Sequence, residues 1–350
     1  MDFIGEFTAF IIFLLALVRF RIFGIIYSLV KVIKRQCCFS RRKIFKSNNF
    51  EILDKLEYKR RISVRKLLML ILITIIVVSS GCSTKKTNNY AERPQGKYDD
   101  LVFVKGGTFK NVKSNFYGKG ITVSSFYIGK YEVTQKEWTE IMGNNPSQFK
   151  GDNLPVEMVS WYDCIEYCNK RSIKEGLKPY YNIDKNKKDP NNKNIYDNVK
   201  WTVTINAEAN GYRLPTEEEW EYAASGGQMS KNYTYSGSNN ADEVAWYWKN
   251  SGDKYLPGVW NWPMIKNNND KTKSVGLKKP NELGIYDMSG NVREWCWNWY
   301  GNFGANSGIL RVWKGGGWLG DVSCCEISFR GGYEPYSKGP DQGFRVCRNK

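Results

Sequence analysis

The 350-residue chain contains no histidine. That absence excludes Ser-His-Asp and Cys-His catalysis, and it excludes zinc or non-haem iron centres built on imidazole. Any chemistry must come from thiols, carboxylates, lysine, tyrosine or a bound ion. Long uninterrupted apolar runs are scarce. Phe7 to Val30 is broken by Arg19 and Arg21, and Leu67 to Val78 is short for a membrane span. The domain-forming part also lacks a strong charge of one sign. The formal charge is +17, but residues 1–66 carry 15 Lys or Arg against 5 Asp or Glu, and the remainder carries 37 against 30. The basic excess gathers before an apolar segment, so no nucleic-acid partner is expected.

What the chain has in quantity is aromatic residues and glycine: 13 Trp, 22 Tyr and 32 Gly. Such a composition suits a loop-rich α+β fold pinned by aromatic clusters better than a helical bundle. Leu101 to Val104 and Ile121 to Ile128 read as strands. Thr134-x-x-Glu137, Ser160-x-x-Asp163 and Thr216-x-x-Glu219 each carry capping-box spacing before apolar residues at helical intervals, so three helices are predicted there. Lys178 to Lys200, rich in Asn, Lys, Asp and Pro, reads as a surface insertion. Helical periodicity stops after Asn239, and Ile327 to Arg330 and Gly343 to Val346 read as short strands.

The N-terminal portion reads as an address. Arg65-Lys66, the apolar core Leu67 to Val78 and the small residues Ser79-Ser80-Gly81 run into Cys82. This resembles a bacterial lipoprotein signal peptide over residues 64–81, with lipid carried on Cys82, a membrane partner and a cell-envelope location. An ordinary transmembrane anchor is the alternative. Residues 1–63 form a hydrophobic and basic prefix: either a membrane segment or an upstream extension, with translation starting near Val64. Residues 82–100 are a polar tether, and residues 101–350 are the domain.

The stretch YDMSGNVREWCWNW, Tyr286 to Trp299, joins two patterns. Trp295, Trp297 and Trp299 alternate, which predicts a strand with one aromatic face. Asp287 and Glu294 flank the turn Ser289-Gly290-Asn291. The reading is either a capped turn with solvated carboxylates or a site for Ca²⁺, which takes oxygens from carboxylates and carbonyls.

Seven motifs then occur in order: GGTF (106–109), YEVTQKEW (131–138), PVEMVSWYDCIEYCN (155–169), GYRLPTEEEWEYAASGG (211–227), NELGIYDMSGNVREW (281–295), GGGW (315–318) and GFR (343–345). Together they resemble the sulfatase-modifying factor family, whose founding members are formylglycine-generating enzymes. The resemblance spans about residues 101–348 and implies the family's variant of the C-type lectin fold. It also implies a calcium loop made by Asp287, the carbonyls of Gly290 and Val292, and Glu294, with Asp287 standing where the enzymes have Asn.

The family's catalytic pair is incomplete. In the enzymes two cysteines five residues apart bind Cu(I) and activate oxygen, as soft thiolates suit that ion. Aligned on Gly315-Gly316, the second is Cys325, the first falls on Gly320, and a preceding serine falls on Gly317. Cys324 is adjacent, but strand neighbours face opposite ways. The branch that uses iron needs histidines and is excluded. Cys164 and Cys168 read as core residues one turn apart. A Cys168–Cys347 disulfide is an option implied by the enzymes, although Cys347 sits one place late after GFR.

The preferred reading is a surface lipoprotein on a formylglycine-enzyme-like scaffold without oxidase activity. It would bind an unidentified peptide, protein or glycan near the Gly315–Glu326 loop and the Trp-rich segments. The alternative is a copper-dependent oxidase that makes formylglycine in Cys-x-Pro-x-Arg peptides of sulfatases, with Cys325 as its surviving thiol. A hydrolase using Asp321, Glu326 and Asp341 finds no support in their spacing.

Overall fold

The computed structural model describes residues 101–350. The prefix, the signal peptide, Cys82 and the tether lie outside the described residues. The chain opens with strand β1 (Leu101–Val104), the two-residue strands β2 (Gly107–Thr108) and β3 (Thr122–Val123), and β4 (Phe126–Gly129). Ile121 to Ile128 is thus two short strands with a break at Ser124-Ser125, not one. Helices α1 (Gln135–Met142), α2 (Trp161–Lys174) and α3 (Glu217–Ala224) follow where the capping boxes placed them. In each, the Thr or Ser side chain accepts the third helical N–H, and the acidic side chain returns to the cap N–H. Gly143 ends α1 at φ 80°.

The segment read as a bare insertion carries structure. Strand β5 (Tyr181–Lys188) pairs antiparallel with β6 (Trp201–Ile205). Two short helices, α4 (Ala241–Val244) and α5 (Trp262–Asn267), also lie in the region where helical periodicity stops, with strand β7 (Ala245–Trp246) after the first. The remaining strands are β8 (Ser289–Gly290), β9 (Arg293–Trp299), β10 (Arg311–Lys314), β11 (Gly331–Tyr333), β12 (Gln342–Gly343) and β13 (Cys347–Asn349). Ile327 to Arg330 is not a strand. Of the predicted strand over Gly343 to Val346 only Gly343 is in a strand, the end of β12, and residues 344–346 form an irregular link to β13.

Sheet order is β11-β10-β9-β12 in the larger sheet and β1-β4-β13 in the smaller. Strand β9 is internal, so both its faces are covered. Trp295 and Trp297 join a cluster with Trp138, Trp161, Tyr167 and Phe344, whereas Cys296 packs with Trp220, Phe126 and Val312. Trp299 lies on the guanidinium of Arg311, 3.6 Å from its carbon, and Trp161 lies 3.9 Å away on the same cation. Burial among these rings pushes the Arg311 pKa down to about 9. A third cluster gathers Tyr247, Trp248, Leu256, Ile265, Trp318 and Cys325. Cys164 and Cys168 are buried core thiols, as expected. Cys168 and Cys347 are both free and buried, so the optional disulfide is not formed.

Candidate functional site

The turn before β9 is built from residues that tolerate positive φ: Asp287 at 56°, Gly290 at 82° and Asn291 at 64°. At Gly290 a side chain is also sterically barred, because a Cβ would sit 2.3 Å from the Trp246 carbonyl. Below the turn lies a buried ionic cluster. Arg345, from the GFR motif, grips Glu294 through Nε–Oε2 and Nη2–Oε1, each at 2.6 Å. Trp220 Nε1 donates to Glu294 Oε2 at 2.6 Å. Glu132, from the YEVT motif, accepts Asn291 Nδ2 at 2.7 Å and the Val292 amide at 3.1 Å. Asp287 Oδ2 accepts the Gly276 amide at 2.6 Å, while its Oδ1 is buried without a hydrogen-bond partner.

Three carboxyl groups thus face one guanidinium in a dry site. Burial, and then the charges of Asp287 and Glu294, hold the Glu132 carboxyl far above the ordinary carboxylate range. Burial pushes Asp287 up to about 6. The surplus of acid and the unpartnered Asp287 Oδ1 fit a hard cation. Glu294 fits less well, since both its oxygens already receive hydrogen bonds from Arg345 and Trp220. Among the described residues, no group of three or more Asp, Glu or Cys side chains has metal-holding spacing. Glu132, Trp220 and Arg345 were not singled out in the sequence. Their signal was the motifs themselves, whose side chains meet only in three dimensions.

The Gly315–Glu326 loop carries the adjacent free thiols Cys324 and Cys325. Val322–Cys325 forms a single 3₁₀ turn, not a strand, capped by Asp321, whose carboxylate accepts the Ser323 amide at 3.0 Å. The two thiols differ in burial. Cys325 is fully buried in the third cluster, and burial raises its thiol pKa well above normal. Cys324 is only half-buried, and its pKa is raised by burial and eased by Arg293. A Cβ placed on Gly320 would lie 3.7 Å from the Cβ of Cys324. Position 320 thus lies beside Cys324, while Cys325 packs in the core. A Cβ on Gly317 would lie 2.9 Å from Asp341 Oδ2, so that carboxylate leaves little room for a side chain there.

Asp341 is buried and paired with Arg293, Nη2–Oδ2 3.1 Å. The Arg293 guanidinium lies 4.7 Å from the Trp313 ring and 5.8 Å from that of Tyr333. Asp321 thus caps the 3₁₀ turn and Asp341 pairs with Arg293. Beside this loop runs an aromatic overhang. Trp260 Nε1 donates to the Leu319 carbonyl at 2.8 Å, which hangs residues 255–262 on the Gly315–Glu326 loop. Eight of the 13 Trp residues are buried, but Trp260 is 47% exposed and Trp262 45%, with Tyr255 and Val259 also exposed.

Comparison with known proteins accords with this geometry. The family profile described as "Sulfatase-modifying factor enzyme 1-like domain" matches residues 86–350. A "Chaperone protein LppX" of Paenibacillus barcinonensis is 60% identical over 287 residues, 82% of this chain and 100% of the relative. The formylglycine-generating enzyme of Streptomyces coelicolor is 32% identical over 171 residues, 43% of this chain and about half (51%) of the enzyme. Among solved structures, Treponema denticola variable protein 1 aligns with a TM-score of 0.56 at 34% identity, over 71% of this chain and 95% of that one. The few helices, small sheets and irregular backbone are those of the formylglycine-generating-enzyme variant of the C-type lectin fold. From the ordered motifs, the buried cluster they build and the span of the profile match, the chain belongs to the sulfatase-modifying factor enzyme 1-like family.

Proposed function

We propose that this protein is a cell-envelope lipoprotein, anchored through Cys82, that binds exposed apolar segments of a partner polypeptide and performs no oxidation. The observation that carries the reading is the aromatic overhang: Trp260 and Trp262 stand in solvent on a loop fixed to Leu319. Large exposed aromatics are costly to leave in water and are enriched where proteins are gripped. The overhang borders the loop in which Gly320 and a buried Cys325 replace an open two-thiol site. The 60% identity to a protein named a chaperone, over that protein's whole length, favours a polypeptide ligand over a glycan.

The test is binding of an unfolded, apolar reporter polypeptide to the lipoprotein, with a Trp260→Ala/Trp262→Ala variant in parallel. Loss of both rings should weaken binding about tenfold or more. Equal binding by the two proteins would overturn the reading, as would preferential binding of soluble glycans. Copper-dependent turnover of a Cys-x-Pro-x-Arg peptide would reinstate the oxidase.

A separate part of the proposal concerns Asp287, the carbonyls of Gly290 and Val292, and Glu294 as calcium ligands. The unpartnered Asp287 Oδ1 and the acid surplus around it support this reading. Millimolar calcium should then raise Tm by a few degrees and a chelator should reverse it. An unchanged Tm in the wild type would leave Arg345 as the carboxylates' only cation.

A further inference from the structure

Lys314, at the end of β10, is buried without any exposure, and so is its partner Glu221 in α3. Lys314 Nζ donates to Glu221 Oε2 at 2.7 Å. The side-chain amide of Asn115 donates to the same oxygen at 3.1 Å and also to the Ser328 carbonyl. The other oxygen, Oε1, accepts Ser114 Oγ at 2.7 Å and the Asn115 backbone amide at 2.6 Å. The Trp220 ring lies 5.6 Å from Nζ, and Phe116, next to Asn115, is buried. A buried primary amine and a half-buried carboxamide therefore both donate to one oxygen of a buried carboxylate.

As an ion pair this arrangement contributes little, because removing both charges from water offsets most of their attraction. As a reaction centre it is well composed. Proximity replaces a bimolecular encounter. We propose that Lys314 and Asn115 become joined by an intramolecular amide bond, with Glu221 as the proton carrier. Glu221 takes a proton from Nζ, and the free amine attacks Asn115 Cγ. The Cγ–Nδ2 bond then breaks while a proton passes through Glu221 to the departing nitrogen, and ammonia leaves. The product is a secondary amide beside a neutral Glu221, with no oxidant, reductant or co-substrate consumed.

The bond would tie the loop before β3 to the larger sheet and close a ring over most of the domain. Covalent closure of so long a loop restricts the unfolded chain strongly. For a protein held outside the cytoplasm, the gain is resistance to unfolding and proteolysis.

The test is peptide mass mapping of the full-length protein as purified. The expected result is a branched peptide joining the Asn115 and Lys314 segments, lighter than their sum by one ammonia, with no tryptic cleavage after Lys314. The denatured wild type should also migrate faster in gels than Asn115→Ala and Glu221→Gln variants, which cannot form the bond. Recovery of linear peptides containing Asn115 and Lys314 from folded wild-type protein overturns the proposal. The wild-type measurement is decisive by itself, even if a variant fails to fold.

Discussion

Glu157 is fully buried, and its two carboxylate oxygens are treated unequally: Oε1 accepts the Phe149 amide at 2.8 Å and Oε2 has no partner. Burial, the largest cause, pushes its pKa from 4.5 up to about 7. The folded state therefore holds this proton more tightly than the unfolded chain does. Stability falls as pH rises from about 4.5 to about 7 and changes no further from this group above that. Glu157→Gln removes the titration and keeps an acceptor for Phe149. Its Tm should overtake that of the wild type across this window, by a few degrees at pH 8. Parallel Tm–pH curves would show that Glu157 does not carry the effect. Legibility at this scale depended on whether a residue acts alone. The turn flanked by Asp287 and Glu294 was readable because its positive-φ residues, Gly290 and Asn291, are local. That Glu294 is gripped by Arg345, 51 positions away, was invisible because nothing in a linear string pairs GFR with REW. The adjacent thiols Cys324 and Cys325 were visible in the string, but their unequal burial was not, because it follows from the 3₁₀ turn that carries them.

At the scale of the element, the three capped helices were the most readable features, because a capping box is local chemistry over four residues. Thr216 accepts the Glu219 amide, and Glu219 also holds Arg213 through two contacts of 2.6 and 2.7 Å. Thr216→Ala should cost about 1 kcal/mol and lower Tm by about 2–4 °C in thermal melts. Glu219→Ala should cost more, since it also strands a buried guanidinium. A Thr216→Ala protein as stable as the wild type would show the cap to be dispensable. Helices α4 and α5, of four and six residues, were missed because they are too short to display a helical period. Strand β5 was missed because most of its side chains are solvent-exposed and polar, so no apolar alternation marks it; the pairing with β6 alone makes it a strand.

Taken as a whole molecule, the domain was legible because seven motifs keep their order, and each proves to be an internal contact point of the fold. GYRLP and EEEWEYA place Arg213, Trp220 and Glu221; NVREW and GFR supply Glu294 and Arg345. The exposed overhang was not legible as such, since Tyr255 to Trp262 resembles the aromatic core segments around it and only exposure distinguishes it. The proposed anchor gives a prediction at the same scale. Cys82→Ser expressed in a bacterial host should move the protein from the membrane to the soluble fraction, as read by fractionation and detergent-phase partitioning. Retention of that variant in the membrane would instead favour an anchor that needs no lipid.

Strand β4 has β1 on one side and β13 on the other, with Leu101 opposite Gly129 and Asn349 opposite Phe126. The first and last strands of the domain thus flank one four-residue strand, roughly 13 Å long. A short glycine-serine bridge is long enough to fuse these ends, and the ring can be reopened at exposed Gly258 without breaking any strand pairing. Such a circular permutant would sever the aromatic loop while leaving the scaffold whole, so the proposed grip on a polypeptide could be tested apart from folding.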